Sequence, residues 1–128
     1  TPFASKYNGT GTDIAGYLCV MVDDTKEPDG VKLPAANDSP IVGITAAAGI
    51  KNGEWGDVFV DAGGIHPVKN TAGIAAGARL MPHTDGTVKT LAASAGVNVS
   101  YVGLAKIDAA TTVIEEITFA GPGQSRQG

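Results

Sequence analysis

Pro40-Ile41-Val42-Gly43-Ile44-Thr45-Ala46 and Ser100-Tyr101-Val102-Gly103-Leu104-Ala105-Lys106 are two versions of one pattern, and together they decide the fold. Each is a short apolar run with a glycine at its centre. Glycine inside a strand marks a bulge, a bend or the close approach of another backbone. Gly103 follows Gly43 by 60 residues, and Asp85-Gly86 follows Asp29-Gly30 by 56. The flanks match as well. A glycine and an apolar run precede each copy (Gly16-Tyr17-Leu18; Gly77-Ala78-Arg79-Leu80), and a second β run follows it (Asp57-Val58-Phe59-Val60-Asp61; Glu116-Ile117-Thr118-Phe119). The sequence therefore predicts two similar β units packed about a pseudo-twofold, the second starting near Asn70.

Outward from these stretches the chain is a series of short strands with turn signals between them. Tyr17 to Val22 is a nearly continuous apolar run, which predicts a strand buried on both faces. Val31-Lys32-Leu33 is short and alternating. Asn52-Gly53 and Asp85-Gly86 mark hairpins. Trp55 to Asp61 alternates, with Val58 and Val60 on one side, so Phe59 faces outward or toward a subunit partner. For Trp55 two readings stand: a core or turn-packing aromatic, or a subunit-interface residue. Thr71 to Leu80 could hold one helical turn, but Gly73 and Gly77 argue against more. Val99 to Ile107 and Val113 to Phe119 read as the last strands. The fold expected is all-β, a sandwich or a small barrel of clip-like short strands.

The 128 residues fit one domain, with residues 1–15 as an N-terminal arm, 16–120 as a single β domain and 121–128 as a flexible C-terminal tail. The arm is rich in Gly, Thr, Ser and Asn, and its only large apolar side chains are Phe3 and Tyr7. It is either a solvated terminus or a segment that docks on another surface, since each ring brings a large area with few torsions to freeze. Eighteen glycines and 5% aromatics give a core of small side chains, which suits stability shared between subunits.

Composition and motifs argue against several functions. A net charge of −4 and no Lys/Arg run give no nucleic-acid footprint. No stretch is apolar enough for a membrane-spanning helix, and the first residues lack the regions of a signal peptide. The single Cys19 cannot form an internal disulfide, and its apolar strand predicts a buried, unreactive thiol. The sequons at Asn8 and Asn98, and Asn37-Asp38-Ser39, read as chance. His66 and His83 lack zinc-ligand spacing. The scattered carboxylates (Asp23, Asp24, Asp57, Asp61, Asp85, Asp108) read as groups that cap turns or face water. Glu115 and Glu116 point to opposite faces of a strand and cannot act on one bond. No Gly-x-Ser-x-Gly occurs, and Gly9-Thr10-Gly11-Thr12-Asp13-Ile14-Ala15-Gly16 lacks a P-loop lysine and a preceding strand. No catalytic, cofactor or metal residue is expected, and the chain reads as a non-enzyme.

One family resemblance rests on these signals. Gly16-Tyr17-Leu18, Val42-Gly43-Ile44, Gly56-Asp57-Val58-Phe59-Val60, Gly64, Val68, Ile74-Ala75-Ala76-Gly77 and Leu80, with Asp85-Gly86-Thr87-Val88 and Tyr101-Val102-Gly103-Leu104-Ala105, are together similar to the small capsid decoration (cement) proteins of tailed bacteriophages. The departures are the stretch Asp23 to Asp38 and the Gly121–Gly128 tail. The resemblance implies a β-clip-like or barrel-like homotrimer, made in the host cytoplasm and bound to the major capsid protein on the outer surface of the virion, where it stabilises the expanded head. It implies capsid contact through the arm, hence Phe3 and Tyr7. Trp55 and Phe59 are the subunit-interface candidates. The alternative is a small β-rich module that binds carbohydrate or a cell-surface ligand.

Overall fold

A computed structural model describes residues 3–23, 25, 29–36, 39–91, 98–110, 113–123 and 125–127, with backbone only for residues 98 and 125–127. Among these residues the chain is all-β. Its strands are β1 (Phe3–Tyr7), β2 (Cys19–Val22), β3 (Val31–Lys32), β4 (Gly43–Thr45), β5 (Trp55–Phe59), β6 (Ile65–Lys69), β7 (Arg79–Pro82), β8 (Val88–Thr90), β9 (Asn98–Ser100), β10 (Gly103–Ala105), β11 (Ile114–Phe119) and β12 (Ser125–Gln127). The predicted Val99–Ile107 strand is broken at Tyr101-Val102 into β9 and β10, and no helical turn forms in Thr71–Leu80.

Two five-stranded antiparallel sheets repeat one topology. The first has the order β1-β5-β4-β2-β3 and the second β6-β11-β10-β7-β8, while β12 and β9 form a small separate pair. Register confirms the match. Gly43 lies opposite Val20 and Gly103 opposite Leu80; Thr45 pairs with Val58 and Ala105 with Ile117. The second unit starts at Ile65, not near Asn70, because β6 takes the place of β1. The segment read as an arm thus contains a strand of the first sheet, hydrogen-bonded to β5 along its whole length. In the tail, Ser125–Gln127 pair with Asn98–Ser100.

Each sheet curls until its two edge strands touch. A parallel bridge joins Tyr7 to Gly30 in the first unit and Asn70 to Val88 in the second. Two buried asparagines, which the sequence marked only as a sequon at Asn8, fix the loops at matching places. Asn8 Nδ2 donates to the carbonyls of Thr12 and Ile50 at 2.8 Å each. Asn70 Nδ2 donates to Ala110 O, and its Oδ1 accepts from Val113 N, both at 2.7 Å. Buried amides of this kind must be satisfied, and here they hold the loops that flank the sheets.

The units share a core. Cys19, Ile41 and Ile44 of the first pack with Val68, Leu80, Val88, Val102, Ile117 and Phe119 of the second. A smaller cluster of Ile14, Val20, Val31, Ile50 and Val58 fills the first sheet's interior. Backbone bonds cross between units: Cys19 N donates to Gly86 O at 2.7 Å, and Lys69 N to Tyr17 O at 2.8 Å. Complete burial pushes the Cys19 thiol up to about 12. β2 is not buried on both faces throughout, since Val22 is 48% exposed.

Gly43 and Gly103 do the same work. A Cβ on Gly43 would run into the carbonyl oxygen of Phe59, and one on Gly103 into that of Thr118, the residue matching Phe59. The obstacle is backbone in both cases and cannot rotate away. Gly43→Ala and Gly103→Ala are each expected to destabilise the protein by about 3 kcal/mol, read from the shift in urea midpoint.

Glu115 is 4% exposed, and among the described residues neither of its carboxyl oxygens has a hydrogen-bond partner; the matching residue in the first unit is Gly56. Burial raises its pKa above the ordinary 4.5. The folded state therefore holds a proton that the unfolded state releases, and stability falls as pH rises from about 4.5 through the folded-state value. Glu115→Leu is expected to raise stability at pH 8 by about 1–3 kcal/mol, with a smaller gain at pH 4. Denaturant titrations at both pH values would check it, and an equal gain at both would contradict the assignment.

Candidate functional site

β1 and β5 run antiparallel in a register that pairs Phe3 with Phe59, Ser5 with Asp57 and Tyr7 with Trp55. Successive side chains on a strand alternate between faces. These three pairs therefore share one face, and Ala4, Lys6, Gly56 and Val58 lie on the other. Val58 is fully buried, so the aromatic face is the outer one; Trp55 is 52% and Phe3 42% exposed. All four residues singled out from sequence thus lie on one surface. Proposed contacts with a capsid (Phe3, Tyr7) and with a neighbouring subunit (Trp55, Phe59) are not spatially separate. The expected outward direction of Phe59 holds, and Trp55 is not a core residue.

The rings are ordered by contact. Tyr7 and Trp55 lie 5.5 Å apart at 51°. The edge of one ring of the Phe3–Phe59 pair meets the face of the other, at 6.2 Å and 87°. Such pairs contribute about 0.5–1.5 kcal/mol beyond their area. Phe59 also stacks flat on His66, the centroids 4.1 Å apart and the planes 12° from parallel. His66 Nε2 lies 2.5 Å from Asp61 Oδ1. Asp61 belongs to the connection between β5 and β6, so this pair ties the aromatic row to the second unit. No sequence spacing announced it: Asp61 and His66 meet only because the Ala62-Gly63-Gly64 turn folds them together.

The second unit has no such face. Ile65, Pro67 and Lys69 stand where Phe3, Ser5 and Tyr7 do, opposite Thr118, Glu116 and Ile114. Its exposed apolar groups, Ile65 at 49% and Ile114 at 51%, are aliphatic. Trp55 also borders a cleft of about 330 Å³ lined by Ala46, Lys51, Glu54 and Asp57.

Several other carboxylates hold turns and loops in place. Asp23 accepts from the Thr25 hydroxyl at 2.7 Å, Asp13 from Asn52 N at 2.8 Å, and Asp108 from Ala76 N at 2.8 Å. Burial pushes the Asp85 carboxyl up, but the Thr87 hydroxyl and amide, helped by His83, outweigh it and hold it below the ordinary range. Glu115 is buried and Glu116 exposed, on opposite faces as expected. Among the described residues no three His, Cys, Asp or Glu side chains come together as a metal site would require.

No family model and no curated protein matches the chain. Among solved structures, it is similar to the head fiber gp8.5 N base of bacteriophage phi29. That likeness has a TM-score of 0.70 at 14% sequence identity, and it covers 97% of this chain and 98% of that one. At this identity the likeness establishes the fold alone.

Proposed function

We propose that this chain is a structural virion protein that binds the outside of an expanded phage head and stabilises it, acting as a decoration protein in trimeric form. The observation that carries this reading is the outer face of β1 and β5. It exposes Phe3 and Trp55, with Tyr7 and Phe59 beside them, on a chain with only 5% aromatic residues. Exposed aromatics clustered on a rigid sheet are the usual anchors of protein interfaces. The likeness to a phage head fiber base supports the setting. The partner is the major capsid protein, and the location is the outer capsid surface.

Such a role needs binding and no reaction. A ligand that prefers the expanded shell stabilises it by mass action, and three linked copies multiply a modest affinity. A second reading has one observation in its favour: Trp55 and Tyr7 beside the Asp57 carboxylate could also stack on a sugar ring.

The double variant Phe3→Ala/Trp55→Ala is expected to bind expanded, undecorated heads about 100-fold more weakly, with an unchanged circular dichroism spectrum. Co-sedimentation with heads measures it. Unchanged binding would sink this attachment face. A specific glycan-array signal lost on Trp55→Ala, without head binding, would establish the sugar reading in its place. Sedimentation equilibrium is expected to give a trimer.

A further inference from the structure

The two units can be compared at their edges as well as their faces. Alternate residues of an antiparallel strand direct their N–H and C=O groups to opposite sides. Asn8 N donates to Glu54 O, on the β5 side, at 3.0 Å, whereas Tyr7 N donates away from β5, to Asp29 O, at 2.9 Å. Phe3 and Ser5 share the parity of Tyr7, so their peptide groups point out from the sheet. Among the described residues neither has a hydrogen-bond partner on that side. The parity in β6 is the same: Asn70 N donates to Val113 O, and Lys69 N points outward to Tyr17 O. There, however, the residue matching Ser5 is Pro67, which has no N–H to offer.

Proline on an edge strand is a known way to stop another strand from adding. The second unit is closed in this manner, and the first, built on the same topology, has no such block at Phe3–Ser5 among the described residues. We infer that the outer edge of β1 at Phe3–Ser5 accepts an extended segment of the capsid subunit as an added strand. This rests on the head-binding reading above and specifies its chemistry. Main-chain bonds would supply affinity, and alternate side chains would supply selectivity.

Charge complementarity describes that segment. Its side chains on the outer face would lie about 4.8 Å from those of β1. An apolar side chain fits beside Phe3. A Lys or Arg opposite Ser5 reaches over that small hydroxyl to Asp57, an exposed carboxylate with no ion pair among the described residues. A second copy of this chain fits less well. Pairing of β1 with itself about Ser5 would place one copy's Phe3 beside the other's Tyr7, where Asp29 already takes the Tyr7 N–H.

The test is Ser5→Pro, which removes the outward N–H, keeps every aromatic ring and copies the residue that β6 already accommodates. Ser5→Ala, which keeps the N–H, is the control. Binding to expanded, undecorated heads is expected to weaken about tenfold in Ser5→Pro and to be unchanged in Ser5→Ala, with both melting as wild type does. Native binding by a folded Ser5→Pro would overturn strand addition. The head-binding reading would survive if Phe3→Ala/Trp55→Ala still weakens binding, and would fail with it if that double variant also binds normally. A changed mass in solution for Ser5→Pro with normal head binding would assign the edge to a second copy and overturn the capsid segment. If Ser5→Pro does not fold, hydrogen exchange on the wild-type chain decides: the Phe3 and Ser5 amides are expected to slow when heads are added, and unchanged exchange would overturn the inference.

Discussion

The contact on which the architecture depends is the approach of β4 to β5 at Gly43, repeated by β10 and β11 at Gly103. In each unit a strand passes so close to its neighbour's carbonyl that no side chain fits. That approach lets a five-stranded sheet curl tightly enough for its edges to meet, at Tyr7–Gly30 and at Asn70–Val88. A flatter sheet would leave those edges apart and the interior open. The small core residues follow from the same constraint, since a tight curl leaves room for Val and Ile but for few rings. Phe119 is the one aromatic among the largest fully buried side chains.

Much of this was legible in the sequence because it is local. The central glycines, the Asp-Gly turns and the alternation in Trp55–Phe59 each follow from a few neighbouring residues, and together they indicated paired all-β units. What was not legible depends on pairs distant in sequence. Tyr7 meets Trp55 and Phe3 meets Phe59 only through the β1–β5 register, across about 50 residues of chain. Without that register, the first 15 residues read as an arm on composition alone, and the aromatics divided into two separate roles. The structural role of Asn8 and Asn70 is hidden for the same reason: each matters through loop groups that no short window contains. The start of the second unit at Ile65 is not visible in sequence because Ile65–Lys69 is continuous with the first unit's turn and carries no glycine of its own to mark a boundary.

Because the two units share a topology, their differences separate folding requirements from other demands. At several positions where both need the same thing, they keep the same residue type: Gly43 and Gly103, Asn8 and Asn70, Ile14 and Ile74. Where they diverge, the backbone did not require it. The largest divergences on the outer surface lie on one ribbon, where Phe3, Ser5, Tyr7 and Trp55 replace Ile65, Pro67, Lys69 and Ile114. A ribbon that departs from its twin by gaining rings and an open amide is under a demand that its twin does not meet.

Tyr17 makes the same point at the joint between the units. Its φ is 65°, and the matching residue is Gly77 at 79°; both donate their N–H to corresponding carbonyls, Thr45 O and Ala105 O. The turn therefore requires the left-handed conformation in both units, and a tyrosine there costs about 1 kcal/mol that glycine avoids. The Tyr17 carbonyl accepts from Lys69 N, and Tyr17 lines the groove between the units together with Leu18, Asp85 and Ile114. The strain at Tyr17 is accepted where one unit rests on the next, so the joint, like the aromatic ribbon, is a place where a duplicated scaffold has been made unequal.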